Sequence, residues 1–155
     1  MKYDYAKDLN TFIDNIENKK IVQNSVIIGK INSTIQTFLK RNGITLHNRE
    51  VSLEVGRYFH ILNKVQKETQ LPKELIRSFD QTLSQPKQVF FDTLQKHINL
   101  IYVDIHDGRL YKVVIQPNYH LKKEIYTNEI VSAGYIEERN LKDGNYIEIT
   151  DSDGE

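Results

Sequence analysis

The spacing of apolar and polar residues changes period at about Pro86. Before this proline, apolar residues recur every three or four positions, a spacing that predicts amphipathic helices. After it, apolar and polar residues alternate, which predicts strands. Because helices come first and strands second, the pattern predicts an α+β domain in which N-terminal helices pack on a C-terminal antiparallel β-sheet meander.

The helical half contains four amphipathic stretches, and the second has signals at both ends. Asn32 or Ser33 precedes it as a capping residue, and Gly43 follows it as a stop signal. Pro72 suits the first turn of the last helix, and Pro86 closes that helix. The pattern predicts helices over residues 5–16, 33–42, 54–68 and 72–83, a buried strand at 26–28, and a strand or helix entry at 51–53.

The third predicted helix carries the histidine of greatest chemical interest. Val55, Phe59 and Leu62 predict its buried face, and His60 stands beside that face near the rim of the helix–sheet contact. A histidine at a rim can transfer a proton near neutral pH, because its reference pKa is about 6.5. The structural alternative is a partly buried histidine that serves packing alone.

The second half of the chain alternates as the strands of a meander do. The segment His106–Arg109 has the composition of a hairpin turn, with Asp107 and Gly108 at its centre. The pattern predicts strands at 89–91, 100–105, 110–116, 129–133 and 146–149.

Composition limits the class of protein. The 155 residues are 39% hydrophobic and 27% charged, which suits one soluble domain. Cysteine is absent, so disulfides, thiolate metal sites and cysteine nucleophiles are excluded. No apolar run approaches the roughly 20 residues of a membrane span, and the charged N-terminus differs from a signal peptide. We therefore expect a cytoplasmic protein with no membrane partner.

Charge is distributed unevenly along the chain. Residues 1–123 hold nineteen basic and twelve acidic residues, a net of +7, whereas residues 124–155 hold two and nine, a net of −7. A basic body can attract a polyanion at one face, although the acidic end has a simpler interpretation as a solvated tail. We predict an N-terminal helical extension (1–24), an α+β domain (25–150) and an acidic tail (151–155).

The familiar signatures of metal and nucleotide sites are absent. The five histidines never stand four residues apart, and HExxH does not occur. The scattered glycines form neither GxGxxG nor GxxxxGK[ST], and there is no GxSxG elbow. We therefore predict no metal site and no cofactor.

The chain contains five segments that follow one another as in a known family: VIIGKINSTIQTFLKRNGITL, VSLEVGRYFHILNK, LPKELIRSFDQTLSQPKQVFF, IYVDIHDGRLYKVVIQ and IVSAGYI. Over residues 26–136 this order resembles the phage-associated domains of the barnase–EndoU–colicin–RelE-like RNase group. The resemblance implies a barnase/RelE-like fold, a phage or toxin origin, and a cognate immunity or antitoxin protein as a partner besides RNA.

The resemblance also assigns two catalytic positions. His60 falls where the family's helix carries its first histidine, and Ser132 falls where a late strand carries a hydroxyl. Two positions depart from the family. Phe59 replaces an arginine directly before the histidine, so Arg57 is the nearest arginine, and Val65 replaces a second histidine. These departures are compatible with a rewired site or with an inactive one.

Metal-free RNA cleavage needs a base for the 2′-hydroxyl, an acid for the leaving oxygen and donors for the phosphate. Lys112 and Arg109, on the neighbouring predicted strand, are candidates to offset phosphate charge together with Arg57, and Tyr135 to donate a proton or stack on a base. Each has a structural alternative: Lys112 facing solvent, Arg109 flanking the turn, and Tyr135 packing at the edge of the core.

Two hypotheses follow. The first is a metal-independent endoribonuclease that cleaves RNA through the 2′-hydroxyl. The second is a catalytically degenerate module on the same fold that binds RNA or protein, such as a phage accessory protein. The retained His60 and Ser132 favour the first hypothesis, and the departures at Phe59 and Val65 favour the second.

Overall fold

A computed structural model of the chain describes residues 4–64, 67–104 and 107–150. The described residues form an α+β fold with five α-helices and seven strands. The α-helices are α1 (Tyr5–Glu17), α2 (Ser33–Arg41), α3 (Val55–Leu62), α4 (Lys73–Ile76) and α5 (Phe79–Ser84). The strands are β1 (Ser25–Lys30), β2 (Glu50–Glu54), β3 (Gln88–Asp92), β4 (His97–Val103), β5 (Leu110–Lys122), β6 (Ile125–Ile136) and β7 (Tyr146–Ile149). Short 3-10 helices lie at Lys67–Thr69 and Glu138–Lys142.

The seven strands form one mixed sheet in the order β1-β2-β6-β5-β4-β3-β7. The consecutive strands β3 to β6 are the predicted antiparallel meander. The sheet as a whole is mixed, because the early strand β2, which lies outside the predicted meander, pairs with β6 in parallel. The two early strands, which lie among the helices in sequence, thus extend the meander on one side instead of forming a separate layer.

All five helices contribute to one hydrophobic core on one side of the sheet, which we call the first face. Its strand residues include Val113 and Ile115 of β5 and Ala133 of β6. The apolar side of α1 is buried in the same core, at Leu9, Phe12, Ile13 and Ile16. The helix that the sequence analysis placed in an N-terminal extension is therefore packed as part of this core.

The predicted buried face of α3 is confirmed at Val55 and Leu62, which pack partly buried against the core, and is wrong at Phe59. Tyr58 and Ile61 are buried in the core, whereas Phe59 is 42% exposed. The helix begins directly after β2, with Glu54 as its N-cap and no intervening loop. Its rotation is therefore set by the direction in which the strand ends, and this is not encoded in the helix's own apolar spacing.

Several boundaries also differ from the prediction. The helix predicted at 72–83 is two short helices, α4 and α5, separated at Arg77 and Ser78. Asn32 is the cap of α2, since its side chain accepts a hydrogen bond of 2.8 Å from the backbone N–H of Ile35. Gly43 follows α2 with φ of +84°, as a stop residue would. Strands β5 and β6 extend well beyond the predicted segments.

Some predicted features lie outside the described residues: Val65, residue 106 of the hairpin turn, and the acidic tail at 151–155. Within the described part of the chain, no helix combines the length and apolarity that crossing a membrane requires.

Candidate functional site

The second face of the sheet, opposite the helical core, carries several polar residues among buried apolar ones near its centre. Val114 of β5 pairs with Ser132 of β6 on one side and with Asn99 of β4 on the other. Lys112, two residues earlier on β5, pairs with Gly134. Side chains two residues apart on a strand lie on the same face, so these residues share the second face.

A β-bulge brings Ser132 to this face. The register of β6 against β5 shifts so that Val114 pairs with Ser132 while the next residue, Ile115, pairs with Ile130. Val131 is the extra residue. If β6 paired regularly without this bulge, Ser132 would face the core as Ile130 does, because strand side chains alternate with period two.

Three cations border the polar residues of the second face: Arg57, Lys64 and Lys112. Lys64 lies directly over Gly134, where a Cβ atom would be 2.5 Å from its Nζ atom. Burial lowers the pKa of the Lys64 ammonium, and the positive charge of Lys112 lowers it further. Burial likewise lowers the pKa of Lys112, an effect that the charge of Asp92 partly offsets. Within the described residues, neither lysine forms an ion pair with a carboxylate.

His97 is the histidine on which two of these cations, Lys112 and Arg57, act electrostatically. It is half-buried at the start of β4, opposite Asp92 of β3. Burial is the main cause that lowers the pKa of its imidazole, with further lowering by Lys112 and Arg57 and an opposing effect of Asp92. The imidazole is therefore neutral at neutral pH and able to accept a proton, and it is a weaker base than an exposed histidine.

Asn99 lies on the second face with Lys112, on the neighbouring strand β4. Its side chain is 1% exposed, and its amide nitrogen has no hydrogen-bond partner among the described residues. A buried N–H group without an acceptor is unfavourable, typically by about 1–3 kcal/mol. Two lysines without ion pairs and a donor without an acceptor together form an environment that favours an anion.

A buried carboxylate stands at one margin of the face. Glu129 of β6 is fully buried, and Nε of Arg57 lies 3.9 Å from its Oε2 atom. Burial is the main cause that raises the pKa of Glu129, to about 8, and the neighbouring carboxyl of Glu54 adds to the rise. Glu129 is therefore largely protonated at neutral pH.

Three of the six predicted site residues belong to the second face. Lys112 and Ser132 lie near its centre, and Arg57 lies at its margin beside Glu129. His60 lies one helical turn after Arg57 on α3, and residues three apart lie on the same side of a helix. Its side chain is exposed and has no hydrogen bond or ion pair with any other described residue. No described residue orients the imidazole through a hydrogen bond or an ion pair.

Tyr135 and Arg109 lie elsewhere. Tyr135 belongs to the first face, pairs with Tyr111, and donates a hydrogen bond of 2.6 Å to Oδ2 of Asp104. The guanidinium of Arg109 lies 3.8 Å from the centre of the Tyr135 ring and donates to the carbonyl of Glu68. Burial and the Asp104 carboxylate raise the pKa of Tyr135, so this hydroxyl is a poor proton donor. Their arrangement matches the structural alternatives for these two residues.

The sequence analysis missed Lys64, His97, Asn99 and Glu129. A signal for the two residues on β4 was present, because His97 and Asn99 alternate with the apolar Ile98 and Leu100. Extending the strand predicted at 100–105 by three residues toward the N-terminus would have placed both residues on the strand that pairs with the strand of Lys112. The only signal for Glu129 in the sequence is a charged residue at the start of a mostly apolar predicted strand.

Comparisons with known proteins leave the family open. No family model matches the chain, and neither the curated proteins nor the solved structures provide a significant match.

Proposed function

We propose that the chain binds RNA on the second face of its sheet and cleaves it without a metal, through attack of a 2′-hydroxyl on the adjacent phosphate. The observation that carries this proposal is that His97, Lys112 and the hydroxyl of Ser132 share the second face of the sheet. Two further cations act on this group, Arg57 on His97 and Lys64 on Lys112. The barnase/RelE-like fold and the RNase family remain part of the proposal, supported by the order of segments along the chain.

The chemistry assigns separate tasks to these residues. Neutral His97 takes the proton of the 2′-hydroxyl, and the 2′-oxygen attacks phosphorus to form a 2′,3′-cyclic phosphate. The bond between phosphorus and the 5′-oxygen breaks, and the leaving 5′-oxygen takes a proton from solvent water. Lys64 and Lys112 offset the charge that develops on the phosphate oxygens, and Ser132 donates a hydrogen bond to one of them. We assign the base to His97 and not to His60, because His97 lies on the second face opposite Asp92, whose charge favours proton uptake, whereas His60 has no polar partner among the described residues.

The second hypothesis, binding without cleavage, has one observation in its favour. The histidine that the family resemblance assigns to catalysis, His60, is exposed on α3 and unoriented within the described part of the fold. If His97 does not replace it, the second face retains its cations and binds RNA without cutting it. The predicted immunity or antitoxin partner stays a prediction under either hypothesis.

Cleavage of labelled single-stranded RNA in EDTA tests the proposal, with products resolved for 2′,3′-cyclic ends. We expect the wild type to cleave and His97→Ala to lose about 100-fold or more of the rate, the usual contribution of a general base. His120→Ala is the matched control, because His120 is an exposed histidine near the far end of β5. Loss of activity in His60→Ala alone would move the base to α3.

Binding separates the two hypotheses if cleavage is absent. A filter-binding titration at several salt concentrations compares the wild type with Lys112→Gln. Each phosphate contact to a single strand contributes about 0.7 to the slope of log affinity against log salt, and we expect the variant to lose about that much. Intact RNA with this change in slope supports the binding module. A wild type that neither cleaves nor binds RNA contradicts the proposed function.

A further inference from the structure

The carboxyl group of Glu129 has no conventional partner at a fully buried position. Neither of its oxygens accepts a hydrogen bond from an amide, amine or alcohol group among the described residues. Its strand neighbours are Ser52 in β2 and Gln116 in β5, and the Ser52 hydroxyl is hydrogen-bonded instead to Thr127, at 2.8 Å. An isolated carboxylate at such a site is strongly disfavoured.

Among the described residues, two charged groups face Glu129, both from the junction between β2 and α3. Glu54 is the last residue of β2 and stands two residues after Ser52, the strand partner of Glu129, so the side chains of Glu54 and Glu129 lie on the same face and their carboxyls interact electrostatically. Two carboxyls form a hydrogen bond only when one of them holds a proton. The second group is Arg57, whose Nε atom lies 3.9 Å from Glu129, outside hydrogen-bond distance. The charge of the same guanidinium also acts on His97.

Arg57 is therefore coupled to both groups, since its Nε atom lies 3.9 Å from the Glu129 carboxyl and its charge acts on His97. Its side chain is 34% exposed, while that of Glu129 is 0% exposed, so the guanidinium reaches solvent and the Glu129 carboxyl does not. While the pair holds a proton, Arg57 faces one negative charge and keeps hydrogen-bonding capacity for a phosphate. When the proton leaves, a second negative charge attracts the guanidinium and repels an incoming anion.

We propose that Glu129 and Glu54 form a proton-sharing carboxyl pair that positions Arg57, leaving the guanidinium available to a phosphate when the pair is protonated and retaining it when the pair is not. The two carboxyls are positioning residues, since buried Glu129 does not reach a substrate. The consequence for RNA rests on the proposed function, whereas the coupling between the pair and Arg57 does not.

The coupling is measured without RNA by following the Nε–H resonance of Arg57 between pH 6 and pH 9. We expect the wild-type resonance to titrate in this range and the titration to disappear in Glu129→Gln, which carries no charge at any pH. If Glu129→Gln does not fold, Glu54→Gln replaces it, with the expectation that the midpoint moves to lower pH because the repelling carboxylate is removed. Glu124→Gln, at an exposed glutamate, is the matched control and should titrate as the wild type does.

A second measurement tests the consequence for RNA, using a 2′-O-methyl oligonucleotide that cannot be cleaved. We expect the affinity of the wild type to fall on the order of tenfold more between pH 6 and pH 9 than that of Glu129→Gln, from the added charge near the phosphate. An Arg57 resonance that does not change with pH would overturn the inference, even if RNA binds. A titrating resonance in a protein that binds no oligonucleotide would support the coupling and contradict the proposed function.

Discussion

The stability of the fold should depend on pH through one buried residue, Glu129. Its pKa is raised to about 8, first by burial and then by the neighbouring carboxyl of Glu54. In the unfolded chain the same group titrates near its ordinary value of 4.5. The folded state therefore holds a proton that the unfolded state has released between these two pH values.

The sign of the effect follows from this difference in proton binding. A raised pKa contributes stability that is fully present below pH 4.5 and is lost as the pH rises through about 8. Each pKa unit corresponds to about 1.4 kcal/mol, so the wild type loses up to roughly 5 kcal/mol across this window. Glu129→Gln keeps the size of the side chain and cannot ionise, so the variant should escape this loss.

Urea unfolding followed by far-UV circular dichroism at one-unit steps from pH 5 to pH 9 measures the effect. The difference in stability between wild type and Glu129→Gln is the informative quantity. His97 has a lowered pKa, so its contribution to stability decreases at acidic pH in both proteins and cancels in the difference. We expect the stability of Glu129→Gln relative to wild type to rise by several kcal/mol from pH 5 to pH 9. Parallel pH profiles for the two proteins would refute the reasoning. Glu124→Gln should follow the wild type throughout.

Three further predictions concern local contacts and are measured by the same unfolding experiment at pH 7. Gly134→Ala should destabilise the fold by about 1–3 kcal/mol, because its Cβ would lie 2.9 Å from the carbonyl oxygen of Thr69. An unchanged midpoint would show that the backbone at Thr69 moves away at no cost. Tyr135→Phe should lower stability by about 1–3 kcal/mol, since it removes the hydroxyl that donates to Asp104, and RNA cleavage should survive if this hydroxyl has no chemical task. Asn32→Ala should lower stability by about 1 kcal/mol through loss of the α2 cap, while Asn32→Ser should retain most of it.

Local sequence patterns were sufficient for most of the secondary structure. The apolar spacing of α1, the cap and stop residues of α2, and the apolar residues of β3 and β7 are properties of short segments, and the structure confirms these elements. The change of period near Pro86 likewise indicated an α+β fold. These features depend on contacts within a few residues, which a sequence displays directly.

The faces of the elements depended on contacts between distant segments. Ser132 reaches the second face because Val131 is a bulged residue, and a bulge is defined only by the register of β6 against β5. Phe59 is exposed and Tyr58 buried because α3 continues directly from β2, whose direction is set by its pairing with β1 and β6. Neither result follows from the spacing of residues within one element.

The candidate site was therefore only partly visible in the sequence. Arg57, Lys112 and Ser132 were recognised as candidates, and the residues that give them a chemical setting, His97 and Glu129, were not. The sequence alone determined the residue types and the local segments that carry them. Only the tertiary structure decided which charged groups share one face, because burial and electrostatic coupling arise from pairing between strands that are far apart along the chain.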